Sequence, residues 1–491
     1  MALSDVAEGA AVDSGAVVAK AAVPAGHKIA TAEIAEGESV RKYGQVIGFA
    51  STAIHPGEHV HVHNVTVRDF ARDYAFGADR RAFELLPEAE RATFMGIRRA
   101  DGRVGTRNRI AVIATSNCAA TVVNRIAEAF KGDALADFPN VDEVFPVSHG
   151  QGCGMNPSPE SIVNLERCLI GYARHPNVAG FILVGLGCED VQPATLARRY
   201  GIEDGPLARS FLIQEVGGSI ATTKAGIEAI RAMLPIANAA VREPVPVSEL
   251  VIALQCGGSD GYSGITANPG LGVAADLLVR NGATVILGET TEIYGAEHLL
   301  TRRAVSTEVG EKLVAKIHWW EDHFKRFGGE MNNNPSTGNK KGGLTTILEK
   351  SLGAVVKGGT SDLTKVFDYA EPVSGPGLIF MDGPGYDNAS TTGMVAGGAN
   401  VVCFTTGRGS VVGWKPAPTI KLASNSTMYR HMEDDMDINC GVVLDGTASL
   451  QELGEDIYRT ILAVASGEKT KSEEFGFGDS EFAPWRHGAV T

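Results

Sequence analysis

The stretch QCGGSDGYSGITANPG, residues 255–270, is where the fold declares itself. Residues 250–254 (LVIAL) precede it, an apolar run with the length and β-branched content of a short buried strand. Residues 271–279 follow and read as a helix. The order is strand, polar glycine-rich loop, helix. In an open α/β sheet such a loop stands at the carboxyl end of a strand, where ligands bind. Its glycines let the backbone approach a ligand closely and take positive φ. Cys256, Ser259 and Asp260 bring a thiol, a hydroxyl and a carboxylate to the loop. An ordinary turn around a buried cysteine is the plainer alternative.

The same pattern recurs on both sides. Residues 109–114 (RIAVIA), 141–147 and 180–185 (GFILVG) read as buried strands, with helices over 159–173 and 223–234. A second series has strands at 250–254, 283–288, 378–381 and 401–405. That alternation predicts α/β architecture with parallel sheets. Residues 1–66 differ: short β-type segments between Pro24-Ala25-Gly26, Glu36-Gly37-Glu38 and His55-Pro56-Gly57-Glu58 predict a small all-β module. The organisation expected is therefore this module, a charged linker over 67–97, a middle α/β domain over 98–243 and a C-terminal α/β domain over 244–491. Arg242-Glu243-Pro244-Val245-Pro246 marks the seam, and residues 319–343 read as a polar insertion.

The 491 residues are 44% apolar and 21% charged, enough for two or three domains. A net charge of −14 argues against nucleic acid or an anionic membrane as the main partner. No run of about 18 apolar residues exists, so no membrane span is expected. The opening MALSDVAEGA has no basic segment followed by an apolar core, so no secretory signal is expected. Seven scattered cysteines suggest reduced thiols in a cytoplasm rather than a disulfide framework.

Polar chemistry gathers after the strands. Cys118, Cys153, Cys188 and Cys256 all fall just beyond apolar runs, and His149 stands four residues before Cys153. If the sheets share a polarity, the four thiols converge on one crevice, where they would suit a soft metal. The plainer reading is core packing, since free cysteine is among the most buried residues. A second candidate is His59-Val60-His61-Val62-His63-Asn64. On a strand, the three imidazoles would share one face, and His27-Lys28 could meet it. A solvated edge strand is the alternative. Arg103, Arg107 and Asn108 lie in a basic turn that could fork onto a carboxylate. Glu289, Lys340 and Arg408 stand in later loops suited to acid–base work or to an anion. Neither G-x-G-x-x-G nor G-x-x-x-x-G-K-[ST] is present, which argues against a dinucleotide or ATP.

Taken together, these stretches resemble the altronate/galactarate dehydratase family. The matching segments are GHKIA, KYGQVIGFA, GEHVHVHN, RADGRVGTRN, GFILVGLGCE, QCGGSDGYSGITANPGLG, ATVILGETTEIYGAEHLL, NPSTGNKKGG, FTTGRG and MDINCG, and they cover nearly the whole chain. The resemblance implies an N-terminal β-clip module of the SAF type, a middle domain used in dimerisation, and a C-terminal variant Rossmann-like domain. It implies an iron-dependent loss of water from a sugar acid, giving a 2-keto-3-deoxy acid. The HVHVHN tract tilts the substrate toward an altronate-like aldonic acid over a galactarate-like aldaric acid. The chain also begins one β segment later than is usual in the family. Related lyases of other hydroxy acids, such as sulfolactate, share the family.

On that resemblance, iron is expected as Fe2+ or as a [4Fe–4S] cluster, held by Cys118, Cys153, Cys188 and Cys256, or alternatively by His27, His61 and His63. His149 is the first candidate for the base, with Glu289 and Lys340 behind it. Arg103, Arg107 and Arg408 would hold the carboxylate, with Lys28, Asn64, Asn108, Ser259, Asp260, Thr266 and Asn268 as further substrate contacts. A non-catalytic sugar-acid binding protein is the competing class, but it needs neither iron nor a positioned base.

Overall fold

The computed structural model describes residues 1–81, 84–154 and 159–487. Residues 82 and 83, inside the expected linker, lie outside the described residues. Two parallel sheets carry the molecule. The first has four strands in the order Glu143–Val147, Arg109–Ala114, Val178–Gly185, Ala208–Leu212. The second has seven, in the order Leu363–Phe367, Gly377–Met381, Thr284–Leu287, Val251–Cys256, Val401–Thr406, Thr419–Ala423, Ile438–Asn439. Every pairing in both is parallel.

Both sheets are covered on two faces, which is why their strands read as continuous apolar runs. Alternate residues go to opposite sides. Ile110 and Val112 pack with the helices Ala120–Glu128 and Ser219–Ala237, while Ala111 and Ile113 join a core that also contains Ala253 and Phe404 of the second sheet and Trp414 from the connection after Val401–Thr406. The middle and C-terminal domains thus share an apolar core. Their helices Pro159–Ala173 and Asp387–Ala396 meet closely at Gly171, where a Cβ would stand 2.2 Å from the Ala396 carbonyl oxygen.

Two expectations need correction. Residues 319–343 are not one polar insertion. Residues 319–327 complete the helix Thr307–Phe327, which buries Leu313, Ile317 and Trp320 at spacings of four and three. The residues of the seam form a strand of their own: Glu243–Pro246 pairs antiparallel with Thr93–Arg98, its two prolines being tolerated at the edge of a three-stranded sheet. The linker ends in the strand Thr93–Arg98, and its irregular part is anchored. Arg72 Nη1 reaches the buried Glu297 at 2.8 Å, and the Arg72 guanidinium stands 4.5 Å from the centre of the Tyr294 ring. Strands Ala208–Leu212, Leu363–Phe367, Thr419–Ala423 and Ile438–Asn439 escaped the sequence reading.

The β module has its own small core around Val40, Ile47, Ile54 and Val60. It docks on the helix Ile347–Val355 through charge. Glu349 of that helix lies 2.8 Å from Lys28 Nζ and 3.1 Å from Lys42 Nζ. Of the described helices, none is long and apolar enough to cross a membrane.

Candidate active site

A cavity of about 500 Å³ opens at the carboxyl ends of the central strands of the seven-stranded sheet. Gly257 and Gly258 follow Val251–Cys256, Thr291 and Glu292 follow Thr284–Leu287, and Gly385 to Asp387 follow Gly377–Met381. Lys350 comes from the helix Ile347–Val355, and Asn334, Ser336 and Asn339 from the polar segment before it. Trp320 and Trp485, stacked with ring centres 4.9 Å apart, form an apolar wall. Two glycines make the floor possible. A Cβ on Gly257 would stand 2.2 Å from Asp387 Oδ2, and one on Gly385 would stand 2.5 Å from Thr291 Oγ1.

Charge is concentrated around this floor. Lys350 Nζ lies 2.5 Å from Glu292 Oε1 and 2.9 Å from Asn334 Oδ1. Lys357 Nζ lies 2.8 Å from Cys256 Sγ and 3.9 Å from Glu289 Oε2. Glu289 is buried in left-handed backbone, φ +67°, a costly conformation for a side chain of its size. Neither of its carboxylate oxygens has a hydrogen-bond partner. Burial and the neighbouring Glu292 charge raise its pKa well above the usual carboxylate value. Burial pushes the Cys256 thiol up to about 11, against the pull of Lys357. Burial and the Glu292 charge likewise push Asp387 up to about 6.

These residues fit a divalent metal. Cys256, Glu289 and Glu292 bring one sulfur and two carboxylates within 4.8 Å of one another. A buried carboxylate that accepts no hydrogen bond, with its lysine as far off as 3.9 Å, is suited to a cation or a proton. One soft and two hard donors suit a borderline ion such as Fe2+.

The expected single crevice of four thiols does not form. Cys256 is buried in the second sheet, whereas Cys118, Cys153 and Cys188 are exposed at the end of the first. His149 is also not placed as a base. Its Nε2 lies 3.0 Å from the Ala114 carbonyl oxygen and its Nδ1 accepts from the Gln151 N–H at 3.1 Å, so both ring nitrogens are spent on backbone.

The turn carrying Arg103, Arg107 and Asn108 is scaffolding. Arg107 donates to both Glu473 oxygens at 2.7 Å, and Arg103 pairs with Asp101 on the surface at 2.6 Å. Asn108 donates to the Asn140 and Ala237 carbonyls. Asp260 is likewise a structural hub, accepting from Ser263, Tyr262, Ser424 and Asn425. Thr266 donates to the Ser424 carbonyl, while Asn268 bridges Gly353 and Thr405. Ser259 keeps a buried hydroxyl without a partner, facing a smaller hollow of about 180 Å³. Lys340 is half-buried on the short helix Thr337–Lys341 that also carries Asn339. Arg408 is exposed beside Gly258 and Gly342.

The histidine tract is not a single strand. His59–Val60 is extended, and the chain then turns, leaving Val62 47% exposed. His27, His59 and His61 come within 4.8 Å of one another, and the exposed His63 stays outside that set, contrary to expectation. Burial and the charge of His27 bring both His59 and His61 down to about 4, so they are neutral at pH 7. Asn64 fixes the turn, accepting from the His61 N–H and donating to the His59 carbonyl. Lys28 is committed to Glu349 and to the Gly343 carbonyl.

The sequence reading missed Lys350, Lys357 and Asp387. A signal existed for each. The two lysines sit seven residues apart, hence on one helical face, in the stretch 347–357, where Glu349 is the one other charged residue, and Asp387 follows the strand 377–381 as Glu289 follows its own.

Comparison with known proteins gives three family matches in chain order. The altronate/galactarate dehydratase SAF domain covers residues 1–68, the D-galactarate dehydratase/altronate hydrolase second domain covers 96–238, and the D-galactarate/altronate dehydratase C-terminal domain covers 247–490. Galactarate dehydratase (L-threo-forming) of Escherichia coli K12 is 37% identical over 463 residues, spanning 92% of this chain and 88% of that protein. Altronate dehydratase of the same strain is 36% identical, spanning 100% of this chain and 97% of its own. Altronate dehydratase of Bacillus subtilis 168 is 34% identical, spanning 95% and 92%.

Proposed function

The chain belongs to the altronate/galactarate dehydratase family, and from that premise we propose that the cavity beside Glu289 is where an altronate-like aldonic acid loses water. The protein is a sugar-acid dehydratase, a hydro-lyase. The observation that carries the site is the buried Glu289 carboxylate, which accepts no hydrogen bond, beside Cys256, Glu292 and two lysines at the carboxyl ends of the central strands. A monocarboxylate is favoured over a dicarboxylate because Lys350 is the one cation among the described residues lining the cavity.

The resident metal is proposed to be iron, held by Cys256, Glu289 and Glu292, where it would supply Lewis acidity to the acid's carboxylate and hydroxyl oxygens. The chain's own groups do the rest. Lys350 orients the carboxylate and balances the charge that grows there as the C2 proton leaves. Asp387 lines the cavity, and its pKa near 6 leaves it ionised yet basic at neutral pH. It takes the C2 proton and returns it to the departing C3 hydroxyl, which leaves as water. The resulting enol becomes the 2-keto-3-deoxy acid. Asn334 and Asn339 offer hydrogen bonds to the remaining hydroxyls, and the exposed Arg408, beside the cavity's Gly258, can draw the anion in. A homodimer formed through the middle domain, working in the cytoplasm, completes the proposal.

The test is a screen of C5 and C6 aldonic and aldaric acids with iron-loaded enzyme under anaerobic conditions, reading 2-keto-3-deoxy product. Turnover of an aldonic acid at least tenfold above every aldaric acid is expected. A preference for aldaric acids would overturn the substrate assignment, and turnover unchanged in Glu289→Gln would overturn the site.

A further inference from the structure

Three exposed thiols stand apart from the cavity. Cys118 lies just after the strand Arg109–Ala114, Cys153 after Glu143–Val147, and Cys188 after Val178–Gly185. These strands are neighbours in the four-stranded sheet, so three adjacent carboxyl ends deliver one thiol each. Exposure is itself a departure from the usual fate of free cysteine, which is burial, as for Cys168, Cys403 and Cys440 here.

The loops that carry them are tied together. Asn117 donates from Nδ2 to the His149 carbonyl at 2.9 Å and from its N–H to the Gln151 carbonyl at 2.7 Å. His149 anchors the same loop to Ala114. Glu189, only 3% exposed, accepts from Thr115 Oγ1 at 2.8 Å, from the Leu186 N–H at 3.1 Å and from the Gly187 N–H at 2.7 Å. The turn bearing Cys188 is therefore fixed to the strand bearing Cys118. Such outer hydrogen bonds are what hold metal ligands in place.

Cys153 Sγ lies 3.8 Å from Cys188 Sγ. Two sulfurs bound to one tetrahedral ion at about 2.3 Å each stand about 3.8 Å apart. We propose that Cys118, Cys153 and Cys188 form a second metal site, made of sulfur donors, that takes a thiophilic ion or a small iron–sulfur cluster. Cys118 stands at the neighbouring strand end, beside the loop contact that Asn117 makes with residues 149 and 151, and its sulfur must move toward the Cys153–Cys188 pair to complete the set. Three protein sulfurs leave a further coordination position open to solvent. This site does not depend on the assignment of the cavity, and either can fail without the other.

The full-length protein, reduced and freed of metal under anaerobic conditions, is titrated with Co2+. A sulfur-to-cobalt charge-transfer absorption in the near ultraviolet is expected, together with protection of three fast-reacting thiols from an aromatic disulfide reagent. Cys153→Ser and Cys188→Ser should each lower that absorption to the part contributed by Cys256, Cys118→Ser should weaken Co2+ binding at this site at least tenfold, and Cys256→Ser should leave the protection of the three fast-reacting thiols unchanged. Blocking the exposed thiols of the folded parent with a small alkylating reagent gives the same reading without any risk of misfolding. In protein as purified, iron with acid-labile sulfide that disappears in Cys153→Ser identifies the cluster, and a stoichiometric ion without sulfide identifies the single-metal form. Absence of the absorption in the parent, or its persistence at full strength in Cys153→Ser and Cys188→Ser, overturns the site.

Discussion

Replacing Glu349 by glutamine tests how the β module is held on the rest of the molecule. The Glu349 side chain is 2% exposed, with Lys28 and Lys42 on its two oxygens and the Thr345 N–H and hydroxyl on one of them. Burial alone would raise its pKa, but the two lysines outweigh burial and bring it down to about 2. Lys28 stays below its usual value because its own burial outweighs Glu349, so the carboxylate is the better gauge of the attraction. A carboxyl at about 2 in the fold against about 4.5 unfolded corresponds to about 3 kcal/mol. Breaking a buried ion pair costs about 3–5 kcal/mol by general experience, which agrees. Because the folded value is depressed, this stability is present above pH 4.5 and is lost as the pH falls toward 2. At pH 3 about 1 kcal/mol remains. Glu349→Gln should therefore speed amide exchange in the module about a hundredfold at pH 7, and much less at pH 3. The assay is hydrogen exchange read by mass spectrometry on peptides from residues 39–66. Less than a threefold effect at pH 7 would refute the reasoning. A triple variant with methionine at Lys28, Lys42 and Glu349 should recover most of the loss, since no charge is then left buried alone.

Other outcomes follow from the same geometry. Asp387→Asn should lower kcat by about two to four orders of magnitude with an unchanged circular dichroism spectrum, and turnover within tenfold of the parent would remove Asp387 from proton transfer. His149→Asn should leave turnover within about threefold, because the ring serves backbone. Burial holds that ring down to about 4, against the Ala114 hydrogen bond. Its contribution to stability is thus whole above pH 6.5 and disappears as the pH falls toward 4, which thermal melts of parent and variant at pH 7.5 and 4.5 would read. Chelation should abolish turnover and added Fe2+ restore it, while Glu289→Gln should weaken iron binding about ten- to a hundredfold in a metal-competition titration. Full activity in the chelated enzyme would exclude a metal at Cys256, Glu289 and Glu292.

The sequence alone determined the local order of this protein. Apolar runs with β-branched residues mark strands such as Arg109–Ala114 and Val251–Cys256, and the polar residues just beyond them mark the loops that carry Cys118, Cys153 and Cys188 and that begin at Cys256. Those patterns are legible because side-chain direction repeats every two residues in a strand and about every 3.6 in a helix, whatever the rest of the chain does. What the tertiary structure decided is which loops meet. Nothing local announces that Arg107 is consumed by Glu473, 366 residues away, or that Lys350 closes on Glu292 across 58. An arginine in a basic turn looks the same whether it awaits a substrate or a distant carboxylate. The split of four thiols into three and one has the same cause. Each stands at a strand end, but the strands belong to two sheets, and sheet membership is set by pairing between distant segments rather than by any residue's own neighbours.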